Sequence, residues 1–356
     1  MFGILDKYIG ITVLRTSLLS LAVLTGLSAL IRFVEQLKAV GRGNYEVIDA
    51  ALFVMYSLPR DIEIFFPMAA LLGGLIGMGM LASNSELVVM MAAGRSRLNI
   101  AAAVMKTAIV MMVAVMAIGE WVAPPMEAKG RLIRAQEISG GSLISAQRGV
   151  WAKDGNRFIN IGEVQDTGRL NKVLIYQFDQ QQQLEQVTYA DNAVFSNGDW
   201  RLNQVTITEV GEREIIERKA PVVNWQSSLT PDKLGVVTVK PESLSISGLL
   251  DYLTYLQSNQ QSSQRYELAL WRKLLAPLTV AVMLLVALSF IFGPLRSTSM
   301  GARILLGVVT GFGFHVTNEI FGPLAQVYQL PAVLGALLPS LVFAALAVYF
   351  MQKKGT

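Results

Sequence analysis

Six long apolar stretches fix what this chain can become: Ile11–Phe33, Asp61–Ala82, Ile100–Ala123, Leu268–Phe292, Gly301–Phe321 and Leu330–Met351. A helix crossing a bilayer needs about 20 mostly apolar residues, so each stretch predicts one membrane span. Proline and glycine mark the ends. Pro59-Arg60-Asp61 precedes the second stretch, and Pro124-Pro125 follows Trp121 at the end of the third. Gly293-Pro294 closes the fourth and Gly322-Pro323 the fifth. Composition agrees: 53% of residues are hydrophobic and 16% charged, against about 25% charged in soluble domains. The apolar run near the N-terminus, Ile11 to Ile31, is longer than the ~7–15-residue core of a signal peptide. No small-x-small site follows it, which predicts that it is not cleaved.

The middle of the chain obeys a different rule. From Met126 to Arg265 the apolar density falls and the period moves toward two. Val150–Lys153 and Arg157–Ile161 flank Asp154-Gly155, a hairpin signal. Val173–Phe178, Val187–Phe195 and Trp200–Glu209 read as strands, the last two around the turn at Asn197-Gly198-Asp199. Gln180–Gln183 reads as a solvated loop, and Ser247–Gln257 as a helix leading back to the membrane. Short strands with regular turns suggest a β-sandwich or jellyroll. The fold class expected is an α-helical membrane protein of six transmembrane helices with an inserted all-β jellyroll domain. Its parts are spans one to three over residues 1–125, the β domain over 126–265, and spans four to six over 266–356.

Between spans two and three lies Ser83–Leu98, a polar stretch with a short amphipathic centre. Ser83, Asn84 and Ser85 can each cap a helix start, and Glu86 then sits in the first turn, where the dipole favours a carboxylate. Gly94 suits a left-handed C-cap, with Arg95 and Arg97 on the cationic side. The expected helix, 84–97, is too short to span a bilayer. The residues leave two readings, a lever for a gripping partner or a connecting loop that happens to be helical.

Several chemistries are excluded. The chain has no cysteine, hence no disulfide or thiolate site, and one histidine, which forbids His-Glu-x-x-His. No Gly-x-x-x-x-Gly-Lys-Ser/Thr is present to cradle ATP, so active transport would draw its energy from a partner. The span interiors hold no aspartate pair, and no Gly-x-Ser-x-Gly supports His315 as part of a hydrolase. The chain itself is therefore expected not to be an enzyme. A net charge of +4 and a pI near 9.2 fit contact with anionic lipid and do not argue for nucleic acid.

Several separate blocks carry a resemblance. They are Ile64–Gly73 (Ile-Phe-Phe-Pro-Met-Ala-Ala-Leu-Leu-Gly), Glu86–Met90 (Glu-Leu-Val-Val-Met) and Gly119–Pro124 (Gly-Glu-Trp-Val-Ala-Pro). Two more are Leu229–Gly235 (Leu-Thr-Pro-Asp-Lys-Leu-Gly) and Leu288–Arg296 (Leu-Ser-Phe-Ile-Phe-Gly-Pro-Leu-Arg). With the three-plus-three layout, these resemble the lipopolysaccharide export permeases of the LptF/LptG family. The resemblance implies a transmembrane subunit of an ABC-type transporter that extracts lipopolysaccharide from the outer leaflet of the bacterial inner membrane and passes it through a periplasmic β domain. It implies a homologous permease partner, LptF, a cytoplasmic LptB ATPase dimer that holds the ATP and Mg2+, and docking to LptC. No cofactor or metal is expected on this chain. The balance of basic residues (Lys7, Arg95, Arg97, Arg296, Arg303, Lys353 and Lys354 against Arg32, Lys38, Arg42 and Arg60) leans toward an N-terminus inside. The resemblance implies both termini in the cytoplasm. Two rivals stand beside this reading, a membrane scaffold with a periplasmic binding domain and an exporter of a different lipid.

In that frame Glu86, Leu87, Met90, Gly94 and Arg95 are the candidate ATPase-coupling residues. The candidate lipopolysaccharide contacts are Arg32, Glu35, Lys38, Phe65, Phe66, Arg131, Arg134, Phe312, His315 and Ile320. Lipid A phosphates are clustered anionic oxygens, and arginine gives them charge-assisted hydrogen bonds. The chain departs from the family at Ala39, where relatives can carry a second lysine after Lys38. The bland alternative for Arg32 is an i,i+3 ion pair with Glu35. His315, Asn318 and Glu319 share a helix face, serving either structural hydrogen bonds or the substrate path. Phe314 is a further candidate for an acyl-chain lining, and the Gly73-x-x-x-Gly77 repeat predicts close helix packing.

Overall fold

The computed structural model describes residues 3–139, 144–166, 168–196, 198–211, 214–231, 233–234, 240–292 and 299–352. Some sequence expectations fall outside these residues: Gly293-Pro294, Asn197, Arg296, Lys353 and Lys354, and parts of the blocks Leu229–Gly235 and Leu288–Arg296. Six helices among the described residues are long and apolar enough to cross a membrane. A six-stranded antiparallel sheet lies between the third and fourth of them in sequence.

The chain forms two compact units. The first comprises Met1–Arg32, Ser57–Met126 and Gln264–Thr356, the second Phe33–Tyr56 and Glu127–Ser263. In the order of the chain, α1 is Ile4–Leu37, α2 Val47–Ser83, α3 Glu86–Ala92 and α4 Arg97–Ala117. A π-helical turn, Ile118–Val122, joins α4 to α5, Ala123–Ser139. After the sheet come α6, Ile246–Ser258, α7, Gln264–Phe292, α8, Met300–Val327, and α9, Ala332–Gln352.

Three expected breaks are not breaks, and one of them is Gly322-Pro323, which lies inside the continuous helix α8. Pro59, like Pro67, lies inside the continuous helix α2. A proline removes one backbone donor, and a membrane helix tolerates this where neighbours and local adjustment satisfy the freed carbonyl. Pro124 and Pro125 stand inside one helical run, Arg97–Ile138, and the carbonyl of Gly119, five residues before Pro124, accepts from Lys273 Nζ of α7 instead. The helix therefore runs on past the expected boundary at residue 125.

The core of the first unit is apolar and tightly packed. Leu71, Leu75 and Met78 of α2, Val104 and Ala108 of α4, and Met283, Leu284 and Leu288 of α7 are nearly inaccessible and share one cluster. The Gly73-x-x-x-Gly77 expectation holds. A Cβ on Gly73 would lie 2.2 Å from Ser17 Cα, and one on Gly77 would lie 3.3 Å from Val13 Cα. The missing side chains let α1 lie against α2, and Thr16 Oγ1 uses the approach to donate to Gly73 O at 2.6 Å.

In the second unit the strands are β1 Ile144–Asp154, β2 Arg157–Asp166, β3 Arg169–Phe178, β4 Leu184–Ser196, β5 Asp199–Val210 and β6 Ile215–Trp225. They pair in sequence order. The inserted all-β domain is as expected, and the described strands connect as an up-and-down meander without jellyroll crossovers. Alternation builds its core: Ile159, Ile161, Val173, Ala190, Trp200, Leu202 and Val205 point inward. Trp200 is fully buried, stacks at 6.2 Å on Trp225, and donates Nε1–H to Leu229 O at 2.6 Å. The Asp154-Gly155 hairpin forms, with Asp154 opposite Arg157. At the predicted glutamine-rich loop, Asp179 Oδ1 accepts from the N–H of both Gln181 and Gln183. The strand β6 was not predicted. Its residues are mostly exposed and Pro221 interrupts the pattern, both permitted because β6 is an edge strand.

Candidate functional site

The short helix α3 sits between the ends of α2 and α4 in sequence, and its two faces differ sharply. Leu87 and Met90 are 4% and 7% exposed and belong to the core cluster with Ile9 and Ile100. Val88 and Val89 are 54% and 66% exposed on the opposite side. Leu87 and Met90, expected as coupling contacts, therefore anchor α3 to its own bundle. The outward apolar face is Val88 and Val89, a signal available from the 3.6-residue period of the same segment.

The ends of α3 also differ from expectation. Ser85 adopts a left-handed conformation, φ 61, and its side chain makes no cap. An N-cap residue normally sits in the extended region, which is what lets its oxygen reach the first-turn N–H groups. Ser83 Oγ instead donates to Met80 O. The C-terminal expectation holds. Gly94 has φ +91, Arg95 N donates to Met90 O at 3.1 Å, and this left-handed closure suits glycine. Arg97 does not end α3. It is the first residue of α4, behind Ser96, whose Oγ accepts from Asn99 N.

Polar contacts tie α3 to α1. Tyr8 Oη donates to Glu86 Oε2 at 2.8 Å. Asn84 Nδ2 donates to Glu86 Oε1 at 3.3 Å. Arg95 Nη1 lies 3.2 Å from Asp6 Oδ1, and Lys106 Nζ of α4 lies 2.7 Å from Asp6 Oδ2. Asp6 is 5% exposed. Tyr8, Asp6 and Lys106 were not singled out from the sequence.

At the other end of α1, Arg32 pairs with Asp61 of α2, Nη2 to Oδ1 at 2.6 Å, and Ser28 Oγ donates to Asp61 Oδ2 at 2.9 Å. The i,i+3 pair with Glu35 is not what the structure shows. Asp61 is buried and Glu35 is exposed. An arginine beside a desolvated carboxylate gains more than one beside a solvated carboxylate. Phe66 is buried and Phe65 partly buried against the same core. Phe312 and Ile320 of α8 are 61% and 52% exposed, and His315 is exposed, whereas Phe314 packs edge-on against Phe343. Polar contacts of the His315-Asn318-Glu319 face run to α7. Arg272 of α7 takes Glu319 Oε1 at 3.7 Å and donates to Asn318 O.

A further ionic group in the first unit lies in none of the expected sets. Lys273 Nζ of α7 is 3.1 Å from Glu63 Oε1 and donates to Gly119 O at 3.1 Å, while Arg60 pairs with Glu63 Oε2. The acceptor Gly119 belongs to the π-helical turn. Ionisable residues beside apolar runs are functional or structural markers by default, and that rule applied to Glu63 and Lys273 would have found the pair.

In the second unit, Lys38 and Glu35 are exposed. Arg131 pairs with Glu127 and donates to Ser243 Oγ at 3.4 Å, and Ser243 Oγ donates to Glu127 Oε1. Arg134 lies 5.8 Å from the Phe53 ring and Lys129 5.5 Å from that of Tyr56, cation–π distances that leave the cations reachable. Burial raises the pKa of the Tyr45 phenol, against the opposing charge of Arg134. Among the described residues no group of His, Asp or Glu is arranged to hold a metal ion.

Comparison with known proteins gives these elements a context. Over 356 residues, and 99% of each chain, the sequence is 49% identical to the lipopolysaccharide export system permease protein LptG of Escherichia coli (strain K12). It is 48% identical over the same share to the protein of that name from Haemophilus influenzae. Residues 7–353 match the family described as lipopolysaccharide export system permease LptF/LptG. The six apolar helices and these likenesses make it a multi-pass inner-membrane transport subunit, and the chain belongs to the LptF/LptG family of lipopolysaccharide export permeases.

Proposed function

We propose that this chain works with a homologous LptF subunit and an LptB dimer. In this reading ATP hydrolysis on LptB, with its Mg2+, drives extraction of lipopolysaccharide from the outer leaflet of the inner membrane. The glycolipid then passes along the β domain, which docks to LptC, toward the outer membrane. Both termini and α3 face the cytoplasm and the sheet faces the periplasm. The observation that carries the proposal is the two-faced α3: Leu87 and Met90 fasten it to the bundle while Val88, Val89 and the edge of Glu86 are presented outward. A partner that grips this face moves a helix keyed into the core. Membership in the export permease family supports the substrate. The exposed apolar faces of α1 and α8, including Leu19, Val23, Leu305 and Val309, suit lipid and a second permease.

On this reading Arg32, Lys38, Arg131 and Arg134 meet the lipid A phosphates, with Glu35 shaping the local charge. Phe65, Phe66, Phe312, Ile320 and His315 border the acyl path. The test is purification from the native host through a tag on this chain, with ATPase activity and bound glycolipid assayed. Co-elution of an ATPase and lipopolysaccharide is expected. In the same system Glu86→Ala lowers export at unchanged membrane abundance. A stable chain that elutes alone and without ATPase activity in several mild detergents would favour the scaffold reading.

A further inference from the structure

Helix α3 is seven residues long, well below the ~12–15 residues at which an isolated helix is even marginal in water. Its shape and direction must come from its contacts. The usual device at its start is missing, since Ser85 provides no side-chain cap. What reaches the first turn instead is Tyr8 of α1, whose hydroxyl donates to Glu86 Oε2 at 2.8 Å. At the far end, Asp6 of α1 accepts from Arg95 at 3.2 Å and from Lys106 at 2.7 Å. Between them Leu87 and Met90 pack in one cluster with Ile9 of α1. One helix thus holds α3 at its first turn, its buried face and its exit. That same helix runs unbroken from Ile4 to Leu37 and carries Arg32, seated on Asp61.

We infer that Tyr8 and Asp6 are positioning residues for coupling: Tyr8 sets the Glu86 carboxylate, Asp6 sets the exit of α3, and together they pass displacement of α3 to α1. The inference rests on the coupling role proposed above for Glu86. Tyr8 leaves one carboxylate oxygen of Glu86 facing a second donor, Asn84, at a longer 3.3 Å. That weaker contact is the one a partner's cation would replace. From Asp6 to Arg32 the α1 axis covers roughly 40 Å at 1.5 Å per residue, so a rigid α1 carries the movement to the candidate ligand end.

The experiment uses the full assembly with its ATPase, reconstituted in proteoliposomes containing lipopolysaccharide. The readout is glycolipid released per ATP hydrolysed, per assembled complex, so altered abundance does not enter it. Tyr8→Phe removes one hydroxyl and Asp6→Asn one charge. Each is expected to lower that ratio about three- to tenfold, the scale of one ordinary hydrogen bond, with ATP hydrolysis continuing. Tyr8→Phe is expected to have no further effect in a Glu86→Ala background. Wild-type ratios in both variants, with Glu86→Ala impaired, would overturn the positioning role and leave the coupling reading standing. Additive losses from Tyr8→Phe and Glu86→Ala would also overturn it, since Tyr8 would then act elsewhere. A normal ratio in Glu86→Ala would remove the coupling reading and this inference together.

Discussion

The two units keep their charges in opposite ways. In the first, the most deeply buried carboxylate and ammonium pair across helices. Asp61 is 1% exposed and Lys273 9%, and their pairs bridge α1 to α2 and α2 to α7. On the sheet of the second unit the pairs are open, with Arg218 and Glu209 66% and 41% exposed and Lys219 and Glu217 more so. Water explains the difference. A helical bundle in hydrocarbon must satisfy every polar group internally, so a charge kept there needs a partner on a neighbouring helix. A sheet is held by its backbone ladder and alternating core, and its charges are left to solvent. The buried charge pairs of the bundle are therefore structural joints, and the pairs on the sheet are surface pairs.

The sharpest way to break this contrast is Glu63→Ala. It leaves Lys273 and Arg60, both largely buried, without their shared carboxylate. Breaking a buried pair from one side costs about 3–5 kcal/mol. A matching loss is expected in the unfolding midpoint of the detergent-solubilised protein, with Glu63→Gln in between because it keeps hydrogen-bonding capacity. A midpoint unchanged in Glu63→Ala would put this pair on the footing of a surface pair and dissolve the contrast.

A smaller effect is expected at the buried polar group of the second unit. Tyr255 of α6 donates its hydroxyl to Lys153 O at 2.7 Å and is 4% exposed. Burial, and then the charge of Asp154, pushes its pKa up to about 12. The folded value thus lies above the unfolded value near 10. The neutral phenol's contribution is complete below pH 10 and lost as pH rises toward 12. Tyr255→Phe is expected to cost about 1 kcal/mol at neutral pH. The gap between wild type and variant, measured by denaturation of the full chain, should shrink between pH 10 and 12. A gap constant across that window would mean the phenol titrates as freely folded as unfolded.

How far the sequence reached follows the same division. Apolar length and period-two alternation are properties of single segments, and they marked all six long helices and most strands. The expectation that Leu87 and Met90 are coupling contacts rests on a short motif, which shows which residues are apolar, while the side that is anchored depends on α1. Glu86 was found, but its partner Tyr8 lies 78 residues away. Arg32 was weighed against its neighbour Glu35, whereas its carboxylate comes from Asp61, behind a proline that looked like a helix break and is not one. Joints between helices are long-range, so the features the sequence withheld are those that hold the first unit together. The sheet withheld less because pairing in chain order keeps each contact close to home. The exception, β6, was hidden by its exposure and Pro221, the features that mark a strand with one free edge.

The smallest expected effect bounds the contrast from the other side. Arg218 of β6 and Glu209 of β5 lie 3.6 Å apart in solvent, on strands whose register places Arg218 opposite Ile207 and Glu209 opposite Ile216. The pair is thus diagonal, and the backbone ladder fixes the two strands whether or not it forms. Exposed pairs typically contribute about 0.2–1 kcal/mol, and less as salt rises. Arg218→Ala is therefore expected to shift stability by no more than about 0.5 kcal/mol, and the shift should vanish in high salt. A larger, salt-insensitive loss would show that Arg218 acts through its aliphatic stem or covers the sheet edge. Side chains on β6 would then be joints in the same sense as Glu63, and the two units would differ in degree rather than in kind.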